Sequence, residues 1–274
     1  MLDAQVPKKF HLKEAPLAQA LVQLNFPLLA RLETLAGVAP LQDALLDRFP
    51  YMNQQTVPQL QLTMSPSGMV PQTSTSTVTE FTDDEGWRLT VTAGQATLVA
   101  GPTYAGVADL KSRLSAVLEA LHLAVGVRRC DRLGTRFMNV AEAGEADGDN
   151  WTNWFRQELV GWVNPSVLAS SNRLLTTLSE TRLARPATGD LMGEVQSVVR
   201  HGYLPAGAGL PGVFPSPLPQ ASFLLDLDVF LQEPQPFDPS GLLEQFSDMH
   251  SDIERFFYWS LTDSGRTHFG LVDD

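Results

Sequence analysis

The sequence contains one cysteine, Cys130, and this scarcity excludes two ways of stabilising a fold. A single thiol cannot form an internal disulfide, and it cannot build a cysteine cage around zinc. One unpaired cysteine is also typical of proteins that fold in a reducing compartment. We therefore expect a cytoplasmic protein that depends on its hydrophobic core.

Long apolar runs are absent too. A membrane-spanning helix needs about 18 or more consecutive apolar residues, and no such run occurs in the chain. Residues 1–14 include lysines, but no apolar segment follows them as it would in a secretory signal. The sequence therefore predicts a protein that makes no contact with a membrane.

Positive charge is scarce, because 19 lysine and arginine residues stand against 31 aspartate and glutamate residues, giving a net charge of -12. An acidic chain has no broad electrostatic attraction to DNA, RNA or anionic lipid. The charge therefore argues against a nucleic-acid partner. The hydrophobic content of 43% is that of a globular protein with a sizeable core.

Two periodic patterns set the predicted fold class. Trp87, Leu89 and Val91 recur at every second position between turn-forming stretches, which indicates an antiparallel meander. Residues 104–125 and the segment after Asp238 show helical spacing of apolar residues instead. We predict an α+β protein with antiparallel sheets and long amphipathic helices packed on one face.

A small, acidic stretch at residues 141–150 interrupts these patterns. It predicts a solvated connection between an N-terminal α+β half, residues 1–140, and a C-terminal α+β half, residues 151–274. The two halves are expected to pack closely. Each half ends with strands and a long amphipathic helix, which raises the hypothesis of a duplicated unit, although the halves share no residue pattern.

Several motifs of common catalytic and binding sites are missing. The sequence has no nucleophile elbow, no phosphate-binding glycine loop with its lysine, and no His-Glu zinc motif. It therefore assigns no catalytic residue, no metal ligand and no cofactor, and it leaves open whether the protein is an enzyme. The proline- and glycine-rich stretch 202–220 predicts a long loop, a feature that is often functional or mobile. The serine- and threonine-rich stretch 64–77 predicts a loop or an edge segment.

The segment Val127–Val140 concentrates positive charge in this acidic chain, and we predict that it forms one strand. Arg128, Arg132 and Arg136 share parity, so a strand would place them on one face. Their planar donor groups could bind a phosphate or a carboxylate. The alternative is that they form surface ion pairs with acidic residues across a solvent-facing sheet, which is the commoner role in an acidic protein.

His250 and Glu254 lie four residues apart on the predicted C-terminal helix and therefore share a face. This spacing could supply two metal ligands or an acid–base pair. A solvated polar pair on an amphipathic helix has the same spacing. Because no third ligand accompanies them, the polar pair is the favoured interpretation, and no metal site is predicted.

Trp151, Trp154 and Trp162 lie in one short segment with helical spacing. Exposed indoles would suggest a stacking surface for a base or for a protein partner. Buried indoles would anchor the second half of the chain on the first, and the size of the indole ring favours this interpretation.

Residues 132–139, Arg-Leu-Gly-Thr-Arg-Phe-Met-Asn, resemble the Arg-aliphatic-Gly-x-Arg-aromatic-aliphatic-Asn signature of a sporadically distributed prokaryotic family of uncharacterised proteins. Thr135 departs from the more usual aliphatic residue. The resemblance implies a cytoplasmic protein, and it implies no activity and no site residue. A patchy distribution would suit accessory genes, such as those of defence or mobile-element loci. Weaker matches spread over the chain are Pro16, Leu17, Phe26, Pro27, Tyr104, His250, Ile253, Phe257 and Ser260.

Two functional hypotheses follow. The leading one is a cytoplasmic binding or interaction protein with a protein partner or a homo-oligomeric state, which the resemblance extends to a component of a defence-related or mobile-element complex. The alternative is binding or hydrolysis of a nucleotide or another phosphorylated small molecule. In that case Arg128, Arg132 and Arg136 would hold the anion, and His250 with Glu254 would transfer a proton.

Overall fold

The computed structural model describes residues 10–65, 68–143, 151–164, 171–188, 193–209 and 217–273. Its architecture is α+β with antiparallel strand pairs, as predicted. The strands are β1 (Phe10–Leu12), β2 (Leu17–Asn25), β3 (Tyr51–Ser65), β4 (Gly68–Thr82), β5 (Arg88–Val91), β6 (Gln95–Val99), β7 (Arg129–Cys130), β8 (Arg132–Glu142), β9 (Ser179–Pro186), β10 (Glu194–Leu204), β11 (Ser222–Leu231), β12 (Gln235–Pro236) and β13 (Leu271–Asp273). The helices are α1 (Leu35–Leu45), α2 (Val107–Ala120), α3 (Trp151–Trp154), α4 (Gln157–Val160), α5 (Pro239–Ser260) and α6 (Asp263–His268).

These elements belong to two compact units. Unit 1 comprises Met1–Ala20, Thr135–Leu231 and Asp248–Asp274, and unit 2 comprises Leu21–Gly134 and Gln232–Ser247. The boundaries of these units differ from those of the predicted halves 1–140 and 151–274. Each unit combines segments that are distant in the sequence, because strand pairing brings them together. Of the predicted connection 141–150, residues 144–150 lie outside the described part of the chain. Duplication of one unit stays a prediction.

In unit 2 the strands follow the order β3-β4-β5-β6-β2, and these neighbours pair antiparallel. The register places Phe81 opposite Leu89, Leu89 opposite Leu98, and Leu98 opposite Val22. All four side chains are fully buried. One face of this sheet therefore forms the core of unit 2, which confirms the predicted alternation in the meander.

Helix α2 supplies a second part of that core. After α2 the helix continues for one π-helical turn, Leu121–Val125. It ends at Gly126, whose φ of 78° is left-handed. Glycine suits this position because a Cβ atom strains a left-handed backbone. The predicted helix 104–125 is thus confirmed, with its start at Val107. The buried side chains of α2 include Leu110, Leu114, Val117 and Leu118.

Strands β3 and β4 form a hairpin of fifteen antiparallel residue pairs, from Tyr51 opposite Thr82 to Ser65 opposite Gly68. Strand β5 pairs with Thr79–Thr82 at the base of this hairpin. A loop or edge segment was expected at residues 64–77 because serine and threonine there show no hydrophobic alternation. The expectation of a loop is wrong, since the two strands satisfy each other's backbone groups.

In unit 1 the strands follow the order β8-β11-β10-β9, and β10 pairs antiparallel with both β11 and β9. The two faces of this sheet differ. One carries Phe137, whose ring lies 5.1 Å from the ring of His250 on α5, so α5 packs on this face. The opposite face carries Arg136, Arg200 and Asp226, which contact one another.

The predicted strand Val127–Val140 is divided in the structure. Strand β7 pairs with β12 in a small separate sheet, whereas β8 begins at Arg132 and lies beside β11. Between them, the backbone N–H of Asp131 donates a hydrogen bond to the carbonyl of Asn25 at 2.7 Å. The prediction of one strand is wrong because the chain bends at Asp131 and passes from one sheet to another, and Arg128 precedes both strands.

Helix α5 begins where the sequence indicates. The carboxylate of Asp238 accepts a hydrogen bond from the N–H of Gly241 at 3.1 Å, and Pro239 lies in the first turn. Across the described residues, no helix combines the length and the apolar character needed to cross a membrane. The buried face of α5 includes Leu242, Phe246, Met249, Ile253 and Phe256.

Candidate functional site

Arg128 and Arg132, two of the three candidate arginines, lie in unit 2 and have different partners. Arg128 is exposed, and its Nη1 lies 3.2 Å from His122 Nε2. Arg132 donates from Nη1 to Gln23 Oε1 at 2.9 Å. The guanidinium of Arg132 lies over Gly134, where an added Cβ atom would approach Nη1 to 2.6 Å. The glycine of the signature therefore makes room for its first arginine.

Arg136 lies in unit 1 and binds a carboxylate. Its Nε and Nη2 donate to the two carboxylate oxygens of Asp226 at 2.7 and 2.8 Å. These hydrogen bonds raise the pKa of Arg136, and burial acts against them. Asp226 is 1% exposed. A buried carboxylate with a two-point arginine contact is a structural ion pair. For Arg136 the predicted pairing with an acidic residue is therefore present, but its partner is buried and does not lie on a solvent-facing surface.

The ion pair continues across the sheet of unit 1. Arg200 donates to Asp226 at 3.2 Å and to Glu180 at 2.8 Å, and Glu180 also accepts from Arg182 at 2.8 Å. The hydrogen bonds from Arg182 and Arg200 lower the pKa of Glu180. The result is a ladder of alternating charges from Arg136 on β8 to Arg182 on β9. The three candidate arginines thus stabilise different parts of the fold.

His250 and Glu254 share a face of α5, as their spacing predicts. His250 Nδ1 lies 3.7 Å from Glu254 Oε2, and the imidazole packs edge-on against Phe137. Burial lowers the pKa of His250 to about 4 and raises the pKa of Glu254. His250 is therefore neutral at pH 7 and the pair carries no salt bridge there. Within the described ranges, no group of three or more histidine, cysteine or acidic side chains is placed to hold a metal ion.

Cys130 is buried, and its Sγ donates to the carbonyl of Arg132 at 3.3 Å. Desolvation raises the pKa of this thiol to about 12. Because the thiolate is the reactive form of cysteine, Cys130 is chemically inert at neutral pH.

Two of the three clustered tryptophans are buried. The indole N–H of Trp151 donates to the carbonyl of Ala141 at 2.9 Å, and Trp154 stacks on His268 with ring centroids 3.9 Å apart. Trp162 is 59% exposed. The burial favoured from the sequence is therefore confirmed for Trp151 and Trp154, and for Trp162 it is wrong. Anchoring of the second half on the first stays a prediction.

Two further charged clusters were not predicted from the sequence. In unit 2, Arg113 donates to Asp83 and Glu85 at 2.6 Å each and lies 4.5 Å from the centre of the Trp87 ring, tying α2 to the β4–β5 turn. In unit 1, Arg185 donates to Asp248 and Asp252 at 2.6 Å each, tying β9 to α5. The spacing of residues in the sequence does not predict these contacts, because the partners are far apart in the chain.

A shallow depression of about 410 Å³ lies along α2 in unit 2. Small side chains of a single helix form much of its lining, so it offers little to fix the orientation of a ligand. Residues that line it include Ala108, Lys111, Ser112, Ser115, Ala116 and Glu119.

Two strands stand at the ends of the strand orders, β9 in unit 1 and β3 in unit 2. Strand β9 carries Glu180, Arg182 and Arg185 and ends at Pro186. Charged side chains and proline are devices by which proteins keep an exposed edge from pairing with another strand. The edge of β9 is therefore protected.

The edge of β3 lacks this protection over most of its described length. Residues 51–79 contain no aspartate, glutamate, lysine, arginine or histidine, although 18% of the chain is charged. Pro58 is the first protective residue along the strand. The stretch Tyr51–Val57 is therefore an edge at which a further strand could pair. Its exposed side chains include Tyr51, Asn53, Gln55 and Thr56.

The base of this hairpin is held by side-chain hydrogen bonds. Gln54 donates to Thr79 Oγ1 at 2.9 Å across the two strands, and the hydroxyl of Tyr51 donates to Asp84 Oδ1 at 2.8 Å. The contact with Asp84 raises the pKa of Tyr51. The open edge is thus attached to an ordered turn.

Comparison with known proteins leaves the chain unassigned. No protein-family model matches the sequence, and no curated protein is significantly similar to it. The resemblance of residues 132–139 to a family signature stays a prediction.

Proposed function

We propose that this protein is an interaction protein whose docking element is the β3–β4 ribbon, defined as the hairpin Tyr51–Thr82. The observation that carries the proposal is an open strand edge at β3 within a stretch, residues 51–79, that has no charged residue. An extended polypeptide can add to such an edge as a further strand, held by backbone hydrogen bonds. A protein or a second copy of the chain is the partner that this chemistry favours.

The length of the ribbon supports the same proposal. Beyond the last pair with β5, the hairpin continues from Gln55 opposite Val78 to Ser65 opposite Gly68. At about 3.4 Å per residue this part is roughly 34 Å long. An isolated two-stranded hairpin is only marginally stable in water, so a partner strand would stabilise it.

The alternative, an arginine-lined site for a phosphorylated small molecule, has less support. An anion at Arg136 would have to displace Asp226, which is buried and bound at two points. Proton transfer by His250 would require a buried imidazole to reach a substrate. A cytoplasmic location and membership of a defence-related or mobile-element complex rest on the composition and on the signature at residues 132–139 alone.

Shortening the ribbon tests the proposal. Replacing Thr56–Thr77 by Asn-Gly keeps the pairs from Tyr51 opposite Thr82 to Gln55 opposite Val78 and supplies a two-residue hairpin turn. We expect the shortened protein to stay folded by circular dichroism, apart from the strand signal of the residues removed, and to lose most of its association because only Tyr51–Gln55 of the open edge remain. Association is measured by light scattering and by affinity isolation followed by reconstitution with the purified partner. A shortened variant that keeps every interaction of the intact chain would overturn the proposal, as would an intact chain that binds nothing.

A further inference from the structure

We infer that the strand which occupies the β3 edge is strand β3 of a second copy of this chain, paired antiparallel over Tyr51–Val57. The inference rests on the proposed function and names its partner. Such a pair continues the sheet of unit 2 across a two-fold axis in the order β4-β3-β3-β4. Antiparallel pairing of one strand with itself is isologous, so it closes as a dimer and does not propagate.

The distribution of charge favours a second copy over a basic partner. Each chain carries a net charge of -12, so two copies repel each other wherever acidic surfaces meet. Residues 51–79 are free of charge, which makes the ribbon a place where two acidic copies can approach at little electrostatic cost. A basic partner would instead gain by binding the acidic surface, and a neutral edge would give it no advantage.

The side chains along the described edge are self-complementary. Asn53, Gln55 and Thr56 are exposed, and each carries both a hydrogen-bond donor and an acceptor. When Tyr51 of one copy pairs with Val57 of the other, Asn53 lies opposite Gln55 on both sides of the two-fold axis, so each of these amides can donate in one direction and accept in the other.

A single substitution at this edge tests the inference against a matched control. Thr56→Lys places a charge on the exposed edge of β3, and Thr181→Lys makes the same change at an exposed position of the edge strand β9. We expect the purified intact chain to have twice the 30.0 kDa mass of one chain in sedimentation equilibrium. Thr56→Lys should raise the dimer dissociation constant about tenfold or more, since it places a lysine on the pairing edge of both copies, and Thr181→Lys should leave it unchanged.

Two results would overturn the inference and leave different consequences. An intact chain that stays at 30.0 kDa at every concentration is not a dimer, and the proposed function then survives if shortening the ribbon still abolishes binding of another protein. A dimer that Thr56→Lys does not weaken is assembled through another surface. If Thr56→Lys fails to fold by circular dichroism, Gln55→Lys at the neighbouring exposed position replaces it, with the same expected outcome.

Discussion

The edge strands β9 and β3 differ in their charged side chains. Glu180 on β9 binds Arg200, which in turn binds the buried Asp226, so a chain of ion pairs leads from this edge into the sheet. In unit 2 the edge is neutral, and the buried arginine, Arg113, lies at the contact of α2 with the β4–β5 turn. The neutrality of β3 is therefore a property of that edge and not of the chain. Unit 1 carries charged side chains on its edge strand, whereas unit 2 has none on the described edge Tyr51–Val57 that we propose for docking.

Among these substitutions, we expect the largest loss of unfolding free energy at Asp226, the buried member of the charge ladder in unit 1. Asp226→Asn removes the charge that Arg136 and Arg200 share, and breaking a buried ion pair on one side costs about 4 kcal/mol of unfolding free energy. Urea unfolding followed by circular dichroism measures this loss. Asp131→Asn makes the same change in the exposed pair with Arg129 and should cost less than about 1 kcal/mol. Equal losses in the two variants would show that burial does not decide the effect.

Unit 2 should depend on charge at Arg113 and not at its edge. Arg113→Met removes the guanidinium that Asp83 and Glu85 bind, and we expect a loss of about 3 kcal/mol in unfolding free energy. The loss is smaller than for Asp226 because Asp83 still accepts hydrogen bonds from the N–H groups of Glu85 and Trp87. Arg48→Met, at an exposed position, is the control and should be nearly neutral. A loss below about 1 kcal/mol at Arg113 would contradict this account.

Acid should act on unit 1 through His250. The folded protein binds this proton near pH 4, whereas the unfolded chain binds it near pH 6.5. Between these values the unfolded state carries more protons, so the stability that His250 contributes is present above pH 6.5 and is lost as the pH falls toward 4. From pH 7 to 4.5 the intact chain should lose about 2.5 kcal/mol more than His250→Gln does in urea unfolding.

Glu254 shifts in the opposite direction and does not disturb that difference. Its pKa is raised by burial, so it gains a proton on folding at mildly acidic pH and favours the folded state as the pH falls. This contribution is present in both proteins and cancels when the two are compared. Identical pH profiles for the intact chain and His250→Gln would show that the imidazole is accessible to protons in the folded state.

The outermost charge of β9 should contribute least to stability. Arg182 is 72% exposed, so its pair with Glu180 is screened by water. Arg182→Gln should change the unfolding free energy by less than about 0.5 kcal/mol, measured by urea unfolding beside the intact chain. A loss as large as that of Asp226→Asn would mean that the whole ladder acts as one unit, and the contrast between an exposed and a buried end would fail.

Local patterns in the sequence were sufficient to predict the helices and strands that bury one face. The spacing of leucine and valine in α2 and the cap at Asp238 before α5 involve residues close in the chain, so they can be read without the fold. The β3–β4 ribbon was missed because serine, threonine and glutamine give no hydrophobic alternation. Its strands are defined by backbone pairing, which side-chain patterns do not report.

The candidate site shows the same limit from another side. The shared face of His250 and Glu254 follows from helical geometry and is confirmed by the structure. The partner of Arg136 is Asp226, 90 residues away, and a strand pattern cannot name it. The two aspartates at 226 and 228 within an otherwise apolar strand were the available signal, since a charged residue at such a position needs a partner.

The pairing of β1 with β13 has a consequence for synthesis. Phe10 lies opposite Asp273, so the first described strand finds its partner only when almost the whole chain has left the ribosome. Closing so long a loop is slow compared with forming the local hairpins of unit 2. Residues 10–12 therefore cannot pair with β13 while the chain is being synthesised. The β1–β13 pair can form only after the last described strand has been made.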